Sequence, residues 1–131
     1  MVTFDPREHS IRADVGLLKE ARDFAELAAA DFGFDEEVRY AVKLAMSEAV
    51  TNAIQHGSTS PHDEIRILAI EESGALVFEV TDTGRFRPRV ARRGELPESG
   101  RGLEFMRRLM DEVDLRQTTY GTLLRFVKRP V

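Results

Sequence analysis

A carboxylate and an amide side chain lie four positions apart in a stretch of the sequence with helical apolar spacing, MSEAVTNAIQHG at 46–57. Glu48 and Asn52 would share one face of a helix, because side chains four positions apart lie one above the other. Burying a glutamate costs free energy unless its carboxylate is paired or stays in contact with water. The stretch therefore predicts either a satisfied polar pair in a helix interface or a helix that lines a functional site.

A second polar feature, DTG at 82–84, follows a predicted strand. Asp82 has the same parity as the apolar residues of that strand, so it would point inward at the strand's end. An inward carboxylate can accept a hydrogen bond from the exocyclic amine of adenine, whereas guanine presents a carbonyl there and would be repelled. The same three residues are also typical of an ordinary Asx turn.

A third feature, GRG at 100–102, precedes an apolar helical pattern. Glycines at a helix N-terminus are typical of an anion site, because free backbone N–H groups and the helix dipole face the ligand. The pattern is also typical of a flexible start to a helix, and the sequence has no GxxxxGK phosphate loop. A neutral amide oxygen such as that of Asn52 can ligate Mg²⁺ beside phosphates and water.

The spacing of apolar residues predicts the elements that would position these features. Helical spacing predicts helices over 14–31, 35–55 and 102–113, with Asp14 and Asp35 as N-caps. Alternation predicts strands over 2–4, 64–71, 75–82, 113–117 and 121–128, and a polar loop over 83–101. Val113 ends the apolar stripe of the third helix. The order predicts an α+β fold, a two-layer α/β sandwich whose mixed, mostly antiparallel sheet is covered on one face by three helices.

Length and composition narrow the function classes. A chain of 131 residues predicts one domain, 1–131. The sequence has no cysteine, which excludes disulfides, thiolate nucleophiles and cysteine-based zinc sites. The net charge of −4 gives no electrostatic reason to favour nucleic acid. No apolar run is long enough for a membrane span and the N-terminus has no apolar signal core, so we expect a cytoplasmic protein.

The polar features together resemble the sequence boxes of the GHKL ATPases, the superfamily of gyrase and the histidine kinases. EAVTNAIQHG resembles the N box, DTG the G1 box, GRGL the G2 box and GTLLRF the final threonine-bearing strand. The order and spacing also match, over essentially the whole chain. Within the superfamily, the length and the sequence around the N and G2 boxes most resemble the bacterial anti-sigma-factor serine/threonine-protein kinases.

This resemblance implies a function and a set of ligands. It implies a histidine-kinase-like ATPase fold, ATP and Mg²⁺ as cofactors, and phosphoryl transfer to a serine or threonine of an anti-anti-sigma factor. It also implies a sigma factor as a second partner, and a homodimer that would use the edge strand near 2–4. Direct binding to nucleic acid or to a membrane is not expected.

The resemblance also implies roles for single residues. Glu48 would be the general base for the acceptor hydroxyl, Asn52 would bind magnesium, and Asp82 would recognise adenine. Residues 85–99 would form the nucleotide lid. The remaining nucleotide contacts, several of them through the backbone, would come from Gly84, Gly100, Arg101, Gly102, Leu103 and Thr122.

Two other interpretations stay open at this point. The chain could be a nucleotide-gated protein-binding module without significant kinase activity, but Glu48 favours an enzyme because binding alone needs no base. It could also be the ATPase module of a sensor kinase, but the chain has no room for a separate phosphoacceptor helix pair. The five arginines within 85–93 favour contact with an acidic partner or with ATP phosphates over nucleic acid.

Overall fold

This computed structural model describes residues 3–57, 60–82, 98–118 and 121–130. Three α-helices and five strands form most of their regular structure. The helices are α1 (Leu18–Phe32), α2 (Glu36–Asn52) and α3 (Glu98–Leu109). The strands are β1 (Arg7–Arg12), β2 (Glu64–Glu72), β3 (Ala75–Asp82), β4 (Glu112–Thr118) and β5 (Gly121–Lys128).

The strands form one sheet in the order β1-β2-β3-β5-β4, and each neighbouring pair is antiparallel. The turn Ser73-Gly74 joins β2 to β3 with φ values of 52° and 78°, as a two-residue type I′ hairpin requires. Because β5 lies between β3 and β4, it returns directly beside β3. This order places Asp82, the last residue of β3, opposite Thr122 of β5.

The helices cover one face of the sheet, and the core lies between the two layers. Alternate side chains of the central strands point to this face; among them the rings of Phe78 and Phe126 stack with centroids 5.1 Å apart. Asp82 and Thr122 share that parity and are also buried. The predicted α+β two-layer sandwich is therefore confirmed.

The predicted ends of α1 and α2 are close to those observed. Asp14 caps a short 3₁₀ turn that leads into α1, accepting a hydrogen bond from the N–H of Gly16 at 2.9 Å. α1 is capped at its C-terminus by Gly33, which has a φ of 106°. Asp35 caps α2 by accepting from the N–H of Val38 at 3.0 Å. The caps at Gly33 and Asp35 confirm the predicted end of α1 and start of α2, whereas α1 itself begins at Leu18 after the turn that Asp14 caps.

The prediction of a strand over 2–4 is wrong. Thr3 and Phe4 lie outside any strand, Val2 lies outside the described residues, and the first strand is β1. Phe4 is buried instead against the end of α1, where its ring meets that of Phe32 edge-on at 5.8 Å between centroids.

Periodicity did not reveal β1 because its helix-facing side chains include polar residues. Arg7 forms an ion pair with Asp31 at 2.5 Å, and His9 contacts Glu20 at 2.7 Å. Both acidic partners lie on α1, so this edge strand docks onto the helix layer partly through charged contacts.

The predicted bounds of the third helix are wrong at its start. α3 begins at Glu98, so Gly100 to Gly102 lie inside the helix rather than opening it. The sequence signals for this start are Pro97 and the acidic Glu98, both common at helix N-termini. Gly100 and Gly102 outweighed these signals in the prediction, because glycines usually weaken a helix.

The third helix also ends earlier than predicted. It ends at Leu109, and the N–H of Asp111 donates to the carbonyl of Val127 at 2.9 Å. Val113 lies in β4 opposite Phe126, not in the helix. The apolar spacing fits a helix up to Val113, so only the pairing with β5 sets the boundary.

Several predicted features lie outside the described residues. They include Gly84 and most of the predicted lid over 85–99, of which only the backbone of Glu98 and Ser99 is described, in α3. In the part of the chain that is described, no helix is both long and apolar enough to cross a membrane.

Candidate functional site

Glu48 and Asn52 lie on the same side of α2, one turn apart, and both are half-buried. The adjoining side of the helix is committed to the core, where Met46, Ala49 and Val50 are at most 1% exposed. The two polar side chains therefore lie beside the core-facing surface rather than within it. This is the arrangement that the sequence predicts for a helix lining a site.

A π-helical turn, Ala53–Gly57, continues α2 directly after Asn52. This turn contacts both β3 and β5, the two central strands that carry Asp82 and Thr122. π-helical turns are rare and are frequent at functional sites. The turn thus connects the polar side of α2 with the buried polar end of the sheet, a link that the sequence did not reveal.

Asp82 and Thr122 are neighbours across β3 and β5, and each is only 3% exposed. Among the described residues, the Thr122 hydroxyl oxygen has no hydrogen-bond partner. A buried hydroxyl normally has a partner, because burying it without one costs free energy. This hydroxyl therefore keeps hydrogen-bonding capacity that no described residue uses.

Glu48 also lies against α3. A Cβ atom added to Gly102 would lie 3.1 Å from Oε2 of Glu48, closer than ordinary van der Waals contact. The glycine therefore allows the backbone of α3 to approach the carboxylate. The sequence assigned Gly102 to phosphate contacts only, and no sequence signal indicated its contact with Glu48.

The start of α3 supplies backbone donors close to this contact. Gly100 and Arg101 are the third and fourth residues of the helix, so their N–H groups have no partner one turn earlier in it. Leu103 is half-buried and packs against the core. The revised helix start therefore places N–H groups that have no partner within α3 beside Gly102, as an anion site requires.

Metal ligands are sparse in this region. No group of three or more acidic or histidine side chains with the geometry of a metal site occurs among the described residues. A metal held here would depend on few protein ligands, as Mg²⁺ does when phosphates and water complete its coordination.

A surface depression of about 790 Å³ lies on the opposite face of the sheet. Its lining includes Arg125, which forms ion pairs with Glu72 at 3.1 Å and Glu79 at 3.5 Å. The hydrogen bond to Glu72 raises the pKa of Arg125 above its ordinary value. None of the predicted site residues lines this depression, and its Arg125 is already paired with two glutamates, so the depression is not the candidate site.

The structure thus brings the sequence-predicted residues together in two pairs, Glu48 with Gly102 and Asp82 with Thr122, linked by the π-helical turn after Asn52. A family model described as a histidine kinase-like ATPase domain matches residues 11–128. The chain belongs to the histidine kinase-like ATPase family.

Individual relatives support the same assignment. The Anti-sigma F factor of Clostridium acetobutylicum is 35% identical over 107 residues, which cover 72% of this chain and 74% of that protein. The Anti-sigma F factor of a Thermoanaerobacter species is 34% identical over 96 residues, covering 66% of this chain and 67% of that protein. The resemblance to GHKL ATPases is therefore confirmed.

The fold is also shared with a solved structure. The structure of the RsbU and RsbW domains of a Mycobacterium tuberculosis protein matches 95% of this chain with a TM-score of 0.74 and 22% identity. This chain spans only 32% of that polypeptide. At this identity the likeness shows the common fold, three helices on a five-stranded antiparallel sheet.

The Thr122 hydroxyl gives a stability prediction for the free protein. We expect Thr122→Val to leave the free energy of unfolding unchanged or to raise it by about 1 kcal/mol, because valine keeps the shape and removes a buried hydroxyl that has no partner among the described residues. Thr122→Ala is the control and should lower it by about 1 kcal/mol, because it leaves a small cavity. Urea unfolding at constant m-value measures both. An equal loss in both variants would mean that the hydroxyl is hydrogen-bonded in the free protein.

Proposed function

We propose that this protein is an ATP-dependent serine/threonine-protein kinase that acts as an anti-sigma factor. The observation that carries the proposal is the position of Glu48, a half-buried carboxylate on α2 beside the start of α3. A nucleotide-binding module without transfer activity needs no carboxylate there. The similarity to proteins named Anti-sigma F factor supports the regulatory part of the proposal.

In this proposal, the base of ATP binds at the end of β3 and β5. The carboxylate of Asp82 accepts a hydrogen bond from the amino group of adenine, and the Thr122 hydroxyl gains the partner that it lacks among the described residues. Gly84 would permit close approach of the nucleotide, as in the family that the chain resembles. Guanine, with a carbonyl in place of the amine, would meet the Asp82 carboxylate unfavourably.

The phosphates would bind between α2 and the start of α3. Backbone N–H groups at Gly100 and Arg101 can donate to phosphate oxygens, and we extend this role to Gly102 and Leu103 by resemblance. The amide oxygen of Asn52 would hold Mg²⁺, which neutralises phosphate charge when bound. We propose that these contacts lie within one domain formed by the whole chain, 1–131.

Glu48 would act on the acceptor. Its carboxylate takes the proton from a serine or threonine hydroxyl, directly or through one water, as that oxygen attacks the γ-phosphorus of ATP. The bond between the γ-phosphorus and the oxygen that bridges it to the β-phosphorus breaks, and the bridging oxygen leaves as part of ADP. Such a general base typically contributes about 10²–10⁴-fold to the rate.

The partners proposed are a sigma factor, which the protein would sequester, and an anti-anti-sigma factor, which would carry the acceptor hydroxyl. The names of the relatives support the first of these. The second follows from the resemblance alone. Because both proposed partners act on transcription inside the cell, we propose that the protein acts in the cytoplasm.

We also propose a homodimer, with its candidate surface moved from 2–4 to the observed edge strand. Among the described strands, β1 pairs only with β2, so its other edge leaves backbone groups open to pairing. Light scattering with nucleotide present is expected to give twice the mass of one chain. A monomeric mass at high protein concentration contradicts this part of the proposal.

Adenine selectivity is expected to depend on Asp82. Asp82→Asn should weaken ATP binding about tenfold or more, because a lost hydrogen bond to a charged group is worth about 1.5–3 kcal/mol. Titration calorimetry with ATP and GTP measures both affinity and selectivity. Glu79→Gln is the matched control, since it makes the same chemical change in β3 on the opposite face. Equal affinities of the native protein for ATP and GTP would contradict the proposed adenine contact.

Glu48 and Asn52 are expected to separate transfer from binding. Glu48→Gln keeps the shape of the side chain but removes its basicity, so phosphoryl transfer should fall about 10²–10⁴-fold while Mg-ATP affinity is kept. Asn52→Ala should weaken Mg-ATP binding itself and reduce its dependence on magnesium. Transfer of labelled phosphate to an anti-anti-sigma protein, and calorimetry with Mg-ATP, measure the two effects.

A matched control for Glu48→Gln is Glu37→Gln, which makes the same change on an exposed part of α2. It should alter neither transfer nor binding. If the Glu48 and Asn52 variants instead lose thermal stability equally and keep native nucleotide affinity, the polar side of α2 is structural and the proposed site is wrong.

A further inference from the structure

We propose that Gly102 is a positioning residue for Glu48. Because Gly102 has no side chain, α3 leaves the space in which the carboxylate of Glu48 lies. The inference rests on the proposed role of Glu48 as a base. It starts from one contact, in which a Cβ atom at Gly102 would come within 3.1 Å of Glu48 Oε2. Ordinary contacts of this kind are 3.4–4 Å, so an added methyl group would displace something.

Neither helix can easily give way to that methyl group. α2 is held by Met46 and Val50, both fully buried in the core. α3 is held by Met106, which is 1% exposed, and its chain continues into the sheet through the buried Met110. Closely packed cores resist shifts of whole elements. The glutamate side chain is the softer partner, so the carboxylate would move from its favoured position, at a cost in stability.

A displaced carboxylate would be a poorer base. Proton abstraction requires the base to lie about 2.6–3.2 Å from the acceptor hydroxyl or from one bridging water. Small errors in the position of a reacting group are costly, and a 1 Å misplacement can cost about 10²-fold. A shift of a few tenths of an ångström at Glu48 should therefore reduce transfer about tenfold.

Apart from the contact with Glu48, Gly102→Ala should keep the backbone contacts of α3 and raise the stability of the helix. The alanine keeps the backbone N–H and carbonyl, so contacts to phosphate through the backbone remain possible. Gly102 lies within α3 at a φ outside the left-handed region, where alanine favours the helix more than glycine does. A residue with only a structural role would therefore gain stability and keep its transfer rate.

The first experiment is a double-mutant cycle on thermal stability with Gly102→Ala, Glu48→Ala and the double variant. Without the Glu48 carboxylate, Gly102→Ala should raise the melting temperature by about 4 °C through helix propensity alone. With Glu48 present, the gain should be smaller or absent, because the contact opposes it. An equal gain in both backgrounds would overturn the inference, and this readout requires no enzyme activity.

The second experiment measures transfer of the γ-phosphate of labelled ATP to an anti-anti-sigma protein that the native protein phosphorylates. Gly102→Ala should lower kcat about tenfold and leave the KM for Mg-ATP within about threefold. Glu104→Ala is the control, since it changes an exposed position of the same helix and should leave both constants unchanged.

The outcomes separate this inference from the proposed function. Native kcat in Gly102→Ala, with transfer by the native protein intact, would overturn the positioning role alone. A rise in KM without a fall in kcat would overturn it too, because it would place Gly102 in binding rather than in positioning the base. No transfer by the native protein to any such acceptor would overturn the proposed function, and the stability cycle would still decide whether the two residues interact.

Discussion

The burial of one side of α2 determines the rest of the site. Val42, Met46 and Val50 are fully buried there, and apolar burial of about 25 cal/mol per Å² holds the helix to the sheet. Because that side is committed to the core, Glu48 and Asn52 must lie on the remaining, half-buried side. The helix cannot turn them elsewhere without exposing its apolar side. The same packing limits where α3 can lie, and the glycine at 102 makes its close approach to Glu48 possible.

The second half of the site depends on strand order. β5 returns beside β3 rather than beside β4 alone, and this brings a carboxylate and a hydroxyl side by side under the helix layer. Burying such groups opposes folding unless they have partners. The fold thus carries polar groups in its interior at the end of the sheet nearest the π-helical turn of α2. In the proposed site, a bound nucleotide would add a partner for the Thr122 hydroxyl, which has none among the described residues.

Much of this arrangement could be predicted because local signals agreed with the tertiary structure. Asp14 and Asp35 accept hydrogen bonds from backbone N–H groups with their side-chain carboxylates, and Gly33 ends α1 with a left-handed backbone. The alternation in β3 placed Asp82 inward. The failures have physical causes. β1 presents Arg7 and His9 to acidic residues on α1, so it lacks the apolar alternation of a strand. The end of α3 and the contact between Gly102 and Glu48 depend on residues distant in sequence. No local pattern encodes them.

The central claim is that the polar side of α2, the start of α3 and the buried ends of β3 and β5 form one nucleotide site. The most direct test is an amide NMR spectrum of the isotope-labelled protein, titrated with Mg²⁺ and a non-hydrolysable ATP analogue. The account predicts saturable shifts at Asn52, Asp82, Gly102 and Thr122 with one common affinity, and unchanged signals around Arg125 on the opposite face. Shifts confined to the depression around Arg125, or different affinities for the two pairs of residues, would contradict it.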